Sequence, residues 1–392
     1  MRKRFNKIHE IILLELPILK DGGILFAAGI AGSIALMVSN IFLSRLLGVE
    51  GFGNFKTVTG LFSSFPILFS FGIGGTLIKV ISDRRPGYSY IIRKYLMGYA
   101  AIFIFFGALL FIANKELALY FLGDENLGYL MIAGIAIFFG NFFDVIKSTT
   151  VGLKEFKIFS LSEFLRNLCF AVFSVAAAYY WGLSYAIASI GLAYVVKSLP
   201  TIHILLKSGI LYADSHVCKL RKVFFNYSLS MYVISLIQSS TMFIIPILSL
   251  FYTQTYVGYF GFAWIFFAGS VMFANALETI LFPEISELSK TCMDSARRKF
   301  RNVLMIYIPI ALIGFFAAVL VVEPFISAVS PKFLPCLPIA YALIFYGIFG
   351  SMISFFKIFY IASGQMKKSI YCSLAYNSGL FATSIAALRW VT

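Results

Sequence analysis

Apolar residues in this chain come in long unbroken runs, and polar residues collect in short clusters between them. Eleven runs reach the roughly 20 residues that a membrane-spanning helix requires. They are Gly22–Leu43, Thr57–Ile78, Tyr95–Ala113, Leu127–Ile146, Phe159–Trp181, Leu183–Leu206, Val223–Phe251, Tyr256–Phe282, Val303–Val322, Leu337–Ile361 and Ser369–Leu388. None alternates with period two, which excludes a β-barrel. The connections at Trp181–Leu183 and Tyr252–Thr255 are so short that their flanking helices must be antiparallel neighbours. The expected fold is therefore all-α and integral to a membrane, with about 11 transmembrane helices. Ahead of the first run, Phe5, Ile8, Ile12, Leu16 and Leu19 fall near helical spacing behind a basic start, the pattern of an interfacial amphipathic helix. Glu15 interrupts the apolar stretch and no small-residue cleavage site follows, so a signal peptide is not expected.

Composition narrows the class. The 392 residues are 60% hydrophobic and only 12% charged, and mean hydropathy is +0.90, whereas soluble domains carry about 25% charged residues. A soluble enzyme, a disordered chain and a disulfide scaffold are all excluded. The formal net charge of +15 would point to nucleic acid in a soluble protein, but here it reports orientation. With the N-terminus inside, twenty-five of the 32 Lys and Arg residues fall on inner connections and five on outer ones. This orients a multi-pass chain with its N-terminus cytoplasmic; the expected location is the plasma (inner) membrane, and no nucleic-acid partner is expected. The five cysteines and three histidines are scattered without metal-ligand spacing, so no metal and no cofactor is expected.

The chain also repeats. Gly53 in LLGVEGFGNFKTV sets against Gly258 in FYTQTYVGYFGFAW, and Gly152 in VGLKEFKIFS against Gly364 in SGQMKKSIYCS, at offsets of about 205 and 212. Both pairs follow the same helix of each half, so the repeats run parallel. The expected division is a six-helix lobe over residues 1–207, a cytoplasmic linker over 208–222, and a second lobe over 223–392 that ends one helix short of the repeat, in two pseudo-symmetric lobes of 6 + 5.

At these residues the sequence resembles a family. The basic N-terminal helix, the segment SRLLGVEGFGNF, the helix ending in LFPEISELSK and the loop around SGQMKK are similar, in order and spacing, to oligosaccharide and polysaccharide flippases, including O-antigen flippases. These form a branch of the multidrug/oligosaccharidyl-lipid/polysaccharide exporter superfamily, whose members commonly have twelve or more helices. The resemblance implies a transporter rather than an enzyme. It implies alternating access by two lobes, moving a polyprenyl-(pyro)phosphate-linked oligosaccharide to the outer leaflet for cell-surface polysaccharide assembly. Its partners would be membrane lipid, the lipid-linked oligosaccharide and other polysaccharide-assembly proteins. Two other readings compete: a multidrug antiporter of the same superfamily, which would bury an acidic residue in its first helices, where Gly22–Leu43 has none, and a membrane glycosyltransferase or polymerase, which would need an acidic pair or a large outer loop.

A sugar–phosphate headgroup cannot cross hydrocarbon without a polar path, and charges inside spans are the first places to look for one. Lys197 and Arg166 are the embedded cations. Their bland alternatives are pairing or snorkelling for Lys197, and an ion pair with Glu163 for Arg166. Arg45 and Lys56 flank the Gly-rich outer turn, and Lys79 stands at the inner end of its helix; anchoring at the interface is the alternative for all three. Glu278, with Asn275 on the same face, is the candidate for a coupling H⁺ or Na⁺. Asp144 and Lys147 are expected to pair. Gln238 and Asn377 are read as helix–helix hydrogen bonders. Pro66, Pro200, Pro246 and Pro309 are plausible kinks. No GxxxxGK[ST] motif accompanies the glycine clusters, which argues against a nucleotide-cradling loop.

Overall fold

A computed structural model describes residues 2–82, 88–153, 155–207 and 228–390, and among these the chain is almost entirely helical. The helices are α1 (Arg2–Phe69), α2 (Ile73–Ser82), α3 (Tyr88–Ile112), α4 (Asn114–Leu122), α5 (Gly128–Gly152), α6 (Phe156–Trp181) and α7 (Leu183–Lys207). After the linker region come α8 (Leu229–Ser239), α9 (Ile244–Ser249), α10 (Gln254–Thr291), α11 (Met293–Val329), α12 (Leu337–Ala362) and α13 (Met366–Arg389). The linker expected at 208–222 lies outside the described residues.

The first helix is a hairpin. Gly48 takes φ 70° and ψ −177° inside α1, a conformation open to glycine and costly for a residue with Cβ. Lys56 Nζ donates to Asn40 Oδ1 at 2.6 Å. Sixteen residues of continuous helix would separate these groups by about 24 Å, so the two arms, residues 2–47 and 49–69, fold back on each other. The first arm is helical from Arg2 onward, so the separate interfacial helix expected there is instead one backbone with the first span. At the α6–α7 junction Gly182, at φ 89°, makes the whole turn in one residue.

Eight helices among the described residues are long and apolar enough to cross a membrane. The remaining three expected spans are present as helix but differ in form. One is the second arm of the α1 hairpin. Another is broken: α8 and α9 are joined by a 3₁₀ turn, Ser240–Phe243, just before Pro246, whose ring cannot accept a regular helical turn on its N-terminal side. The last, α13, carries Lys367, Lys368 and Asn377 and is less apolar. Helices α7 and α11 run through Pro200 and Pro309 without a break. Helices α10 and α11 meet at Cys292 and are 38 and 37 residues long. The basic set Arg297–Arg301 therefore rides on a helical extension, not in a loop. Exposed Tyr179, Tyr180, Trp181 and Tyr185 cluster around the Gly182 turn, where amphipathic rings mark a membrane–water boundary.

The repeat is visible as symmetry. A Cβ added to Gly53 would lie 1.9 Å from the Gln254 carbonyl oxygen, and one added to Gly258 would lie 2.2 Å from that of Val49. Each glycine thus rests on the residue four positions before its partner, the reciprocal contact of a two-fold axis. Around this point Thr57 donates to Gln254 Oε1 at 2.9 Å, Gln254 Nε2 donates to the Phe121 carbonyl, and the rings of Phe52, Phe262 and Phe333 pack together. At the other end of the bundle Gly72, at φ 68°, sits against the Ser228 carbonyl, and Thr76 and Tyr95 hydrogen-bond Ser228. The turn before α6 matches the turn before α13: Glu155 N–H and Gln365 N–H bond the carbonyls of Thr150 and Tyr360, with φ/ψ of −83°/62° and −89°/61°. The structural offset here is 210, so the expected pairing of Gly152 with Gly364 is out of register by two residues.

Candidate functional site

The embedded charges converge. On α5, Asp144 and Lys147 are one turn apart and 3.5 Å from each other. On α6, Glu163 and Arg166 are likewise one turn apart, at 3.3 Å. Lys147 Nζ reaches Glu163 at 2.6 Å. Lys197 of α7 sits between the two carboxylates, 2.9 Å from Glu163 and also hydrogen-bonded to Asp144. Each of the three helices contributes its charges five to ten residues from the end that carries the basic connections, a depth of about 8–15 Å at 1.5 Å per residue.

Burying an ion in this medium is costly unless it is paired and hydrogen-bonded, and the cluster meets that condition for its members to unequal degrees. The Lys197 side chain is 2% exposed, while Asp144, Lys147, Glu163 and Arg166 range from 22% to 34%. The Tyr194 ring lies 5.4 Å from Lys197 Nζ and 5.9 Å from the Arg166 guanidinium, within range of cation–π attraction. Three cations face two anions, leaving one positive charge. Arg166 Nε is buried without a hydrogen-bond partner, so the guanidinium has unused donor capacity. Next to it, α1 packs so closely that a Cβ on Gly32 would meet Asn167 Nδ2 at 2.4 Å.

The other sequence candidates fall elsewhere. Arg45 is exposed and hooks across to α11, donating to the Val329 carbonyl and to that of Ala328 at 3.4 Å. These are carbonyls of the last helical turn, which lack partners within the helix and attract cations. Lys56 is held by Asn40, lies 5.1 Å from the Phe52 ring centroid, and rests its stem on Gly261. The Lys79 and Gln238 side chains lie outside the described residues. Glu278 accepts a hydrogen bond from Ser354 and keeps one buried oxygen without a partner; Asn275 is exposed one turn away. Asn377 Nδ2 donates to the Ile237 carbonyl, the helix–helix bond expected of it.

Lys197 and Arg166 are thus brought together, and Arg45, Lys56 and Glu278 stand apart from them. Spacing along the chain shows the pairs within α5 and within α6, but not that α5, α6 and α7 join their charges into one cluster. The signal was available in the equal depths of Asp144, Glu163 and Lys197 from one end of the bundle. Tyr194, one turn before Lys197, was not anticipated.

A second feature is a cavity of about 510 Å³ between the first arm of α1 and helices α10, α11 and α12. Met37, Phe266, Ala318, Val322 and Phe325 are among its walls. Its polar atoms are already engaged: Ser270 Oγ donates to Phe267, and the Tyr307 hydroxyl donates to Ile348.

Together these features define a multi-pass, all-α membrane protein of two repeated halves with ionisable groups held inside the span. Residues 18–289 match the family described as polysaccharide biosynthesis protein, and the chain belongs to that family. No curated protein matches it in sequence. Among solved structures it is similar to the lipid II flippase MurJ in an inward closed conformation, with a TM-score of 0.64 and 13% identity over 94% of this chain and 86% of that one. It is also similar to an inward-facing multidrug resistance MATE family transporter of the MOP superfamily (TM-score 0.54, 15% identity, 96% and 93% covered). A MOP superfamily transporter from Pyrococcus furiosus gives 0.51 and 15% over 95% and 93%. The fold is the one shared with these solved structures.

Proposed function

We propose that this protein moves a polyprenyl-(pyro)phosphate-linked oligosaccharide from the cytoplasmic to the outer leaflet of the plasma membrane by alternating access, for cell-surface polysaccharide assembly of the O-antigen kind. The basic end of the bundle, with the N-terminus, faces the cytoplasm under the positive-inside rule. The observation that carries the reading is the net-cationic, partly accessible cluster of Asp144, Lys147, Glu163, Arg166 and Lys197 inside the span. A diphosphate leaving water needs charge-assisted hydrogen bonds on the way. Arg166, with a spare donor, is the residue best placed to supply them. Lys197 positions it, because by occupying both carboxylates it leaves the guanidinium less fully engaged. Membership of the polysaccharide biosynthesis family and likeness to a lipid II flippase support the same substrate class.

Export of an organic cation is the second reading, favoured by likeness to a multidrug transporter. Such a cargo needs a free carboxylate, and Asp144 and Glu163 both hold Lys197. Among the described residues only Glu278 offers a buried carboxylate oxygen without a hydrogen-bond partner, so this reading rests on that residue.

Depletion of the protein is the test. The expected result is accumulation of lipid-linked oligosaccharide on the cytoplasmic leaflet and loss of outward glycan. Unchanged outward display overturns the proposal.

A further inference from the structure

Most helical glycines here are explained by close packing. A Cβ on Gly134 would strike Phe62, one on Gly191 the Ala136 backbone, and one on Gly347 the Ser270 hydroxyl. Gly29, Gly98, Gly269 and Gly314 are different, and the last two share a cavity. Both lie in helix interiors with ordinary φ, and a Cβ on either meets nothing within 4 Å. Glycine weakens a helix at such positions, and neither a tight contact nor a left-handed turn compensates for it. Both residues line the same cavity, one on α10 and one on α11. The missing side chains are what leave the cavity open.

The chemistry of the cavity selects its occupant. Its volume of about 510 Å³ is that of a ligand site. Water needs two to four polar partners to be held in such a space, and the hydroxyls of Ser270 and Tyr307 are already bonded to backbone. The walls are otherwise apolar, at the depth of the hydrocarbon core, and α11 shows exposed Ile313, Phe316 and Leu320 beside it. A lipid chain therefore has direct access. At one rim stands a cation: Phe325 is one turn, about 6 Å, from Val329, whose carbonyl holds the exposed Arg45. A hydrocarbon seat with a guanidinium over its mouth matches a phosphorylated amphiphile, and its position between the first arm of α1 and the second half of the chain puts it on the seam that must work during transport.

We infer that this cavity seats part of the isoprenoid chain of the lipid-linked substrate, with Arg45 taking its phosphate when the hook to α11 is released. The inference rests on the proposed flippase function. It assigns the phosphate to the cluster on α5–α7 in the inward state and to Arg45 in the outward state, with the tail in the Gly269–Gly314 cavity.

Two measurements on the full-length protein in its own membrane test it. In the first, a diazirine amino acid replaces Ala318 in the cavity wall or Leu320, which is 74% exposed on the outer face of the same helix. After irradiation, mass spectrometry should find polyprenyl phosphate adducts at least tenfold enriched at position 318 over position 320. Phospholipid acyl adducts alone at both positions overturn the inference. In the second, Gly314→Leu and Gly269→Leu fill the space without meeting a neighbour at Cβ, and both favour helix. Export should fall at least tenfold while protein level and melting temperature hold or rise. Normal export by both variants overturns it. If depletion still traps lipid-linked glycan inside while these two results fail, the cavity assignment is lost and the flippase reading stands.

Discussion

Lys197 and Glu163, on neighbouring helices, stand 2.9 Å apart with the lysine side chain almost wholly enclosed. The same ammonium also holds Asp144, so one side chain ties α5, α6 and α7 at a single point. Removing Lys197 leaves the cluster neutral but takes from both carboxylates their most enclosed hydrogen-bond partner, at a cost of about 1–3 kcal/mol. Lys197→Met should therefore lower the melting temperature in detergent and the amount of protein in the membrane. Lys197→Met with Glu163→Gln removes one of the two carboxylates left short of a partner and should regain part of that stability. If the pair served stability alone, the double variant would also regain export; the expected result is a stable protein that exports poorly.

Arg166 carries the phosphate-binding part of the proposal. Arg166→Lys keeps the charge but loses the planar fork that matches phosphate oxygens. Export by this variant should drop at least tenfold with protein level held, and Arg166→Gln should do no better. Wild-type export by Arg166→Gln removes this residue from the substrate path.

The contact between Gly53 and Gly258 leaves no room for a methyl group on either side. Gly258→Ala should cost the joined arrangement about 1–3 kcal/mol, the usual penalty of overpacking. A cysteine replacing buried Thr57 at the same seam should then react with a maleimide several-fold faster than in the Gly258 background. An unchanged rate would mean that the seam opens elsewhere.

Arg45 closes the last turn of α11 from another helix. Its loss in Arg45→Ala should weaken that turn by about 1 kcal/mol, since the bonds are exposed to solvent. Amide exchange over residues 326–330 should quicken roughly five-fold. Arg45→Lys should fall between, because an ammonium does not span both carbonyls as a fork.

Cys292, exposed between α10 and α11, has its thiol pKa lowered by hydrogen bonds from the Ser295 side chain and backbone. The thiolate is the reactive form. In a variant whose other cysteines are serine, labelling should persist to lower pH than for an ordinary thiol and slow as pH falls through the lowered value. Ser295→Ala should move that fall upward. A membrane-impermeant maleimide should reach Cys292 only in inside-out vesicles, and labelling of intact cells would reverse the orientation proposed for the basic end.

Much of the fold was legible because long apolar runs leave helices as the only spanning solution. The local pairs Asp144–Lys147 and Glu163–Arg166 were legible too, since residues one turn apart share a face. The convergence of Lys197 on both was not, because it depends on which helices are neighbours and how they are rotated. The hairpin at Gly48 could be placed as a turn, but not the hook of Arg45, whose partners lie more than 280 residues away. The offset of 212 between Gly152 and Gly364 misled by two residues because glycine was matched to glycine. The structure instead repeats the backbone bonds of Glu155 and Gln365.

The two-fold contact at Gly53 and Gly258 has a mechanical meaning. Under the proposed alternating access, this backbone-to-backbone contact, with the Phe52, Phe262 and Phe333 rings packed beside it, would be the fulcrum on which the two halves turn. From Gly258 to the far end of α10 at Thr291 is 33 residues, a lever of about 50 Å along the helix. Each degree of rotation about the glycines displaces that end by about 0.9 Å. A few degrees about this close glycine contact would thus open an aqueous gap at the opposite end of the bundle.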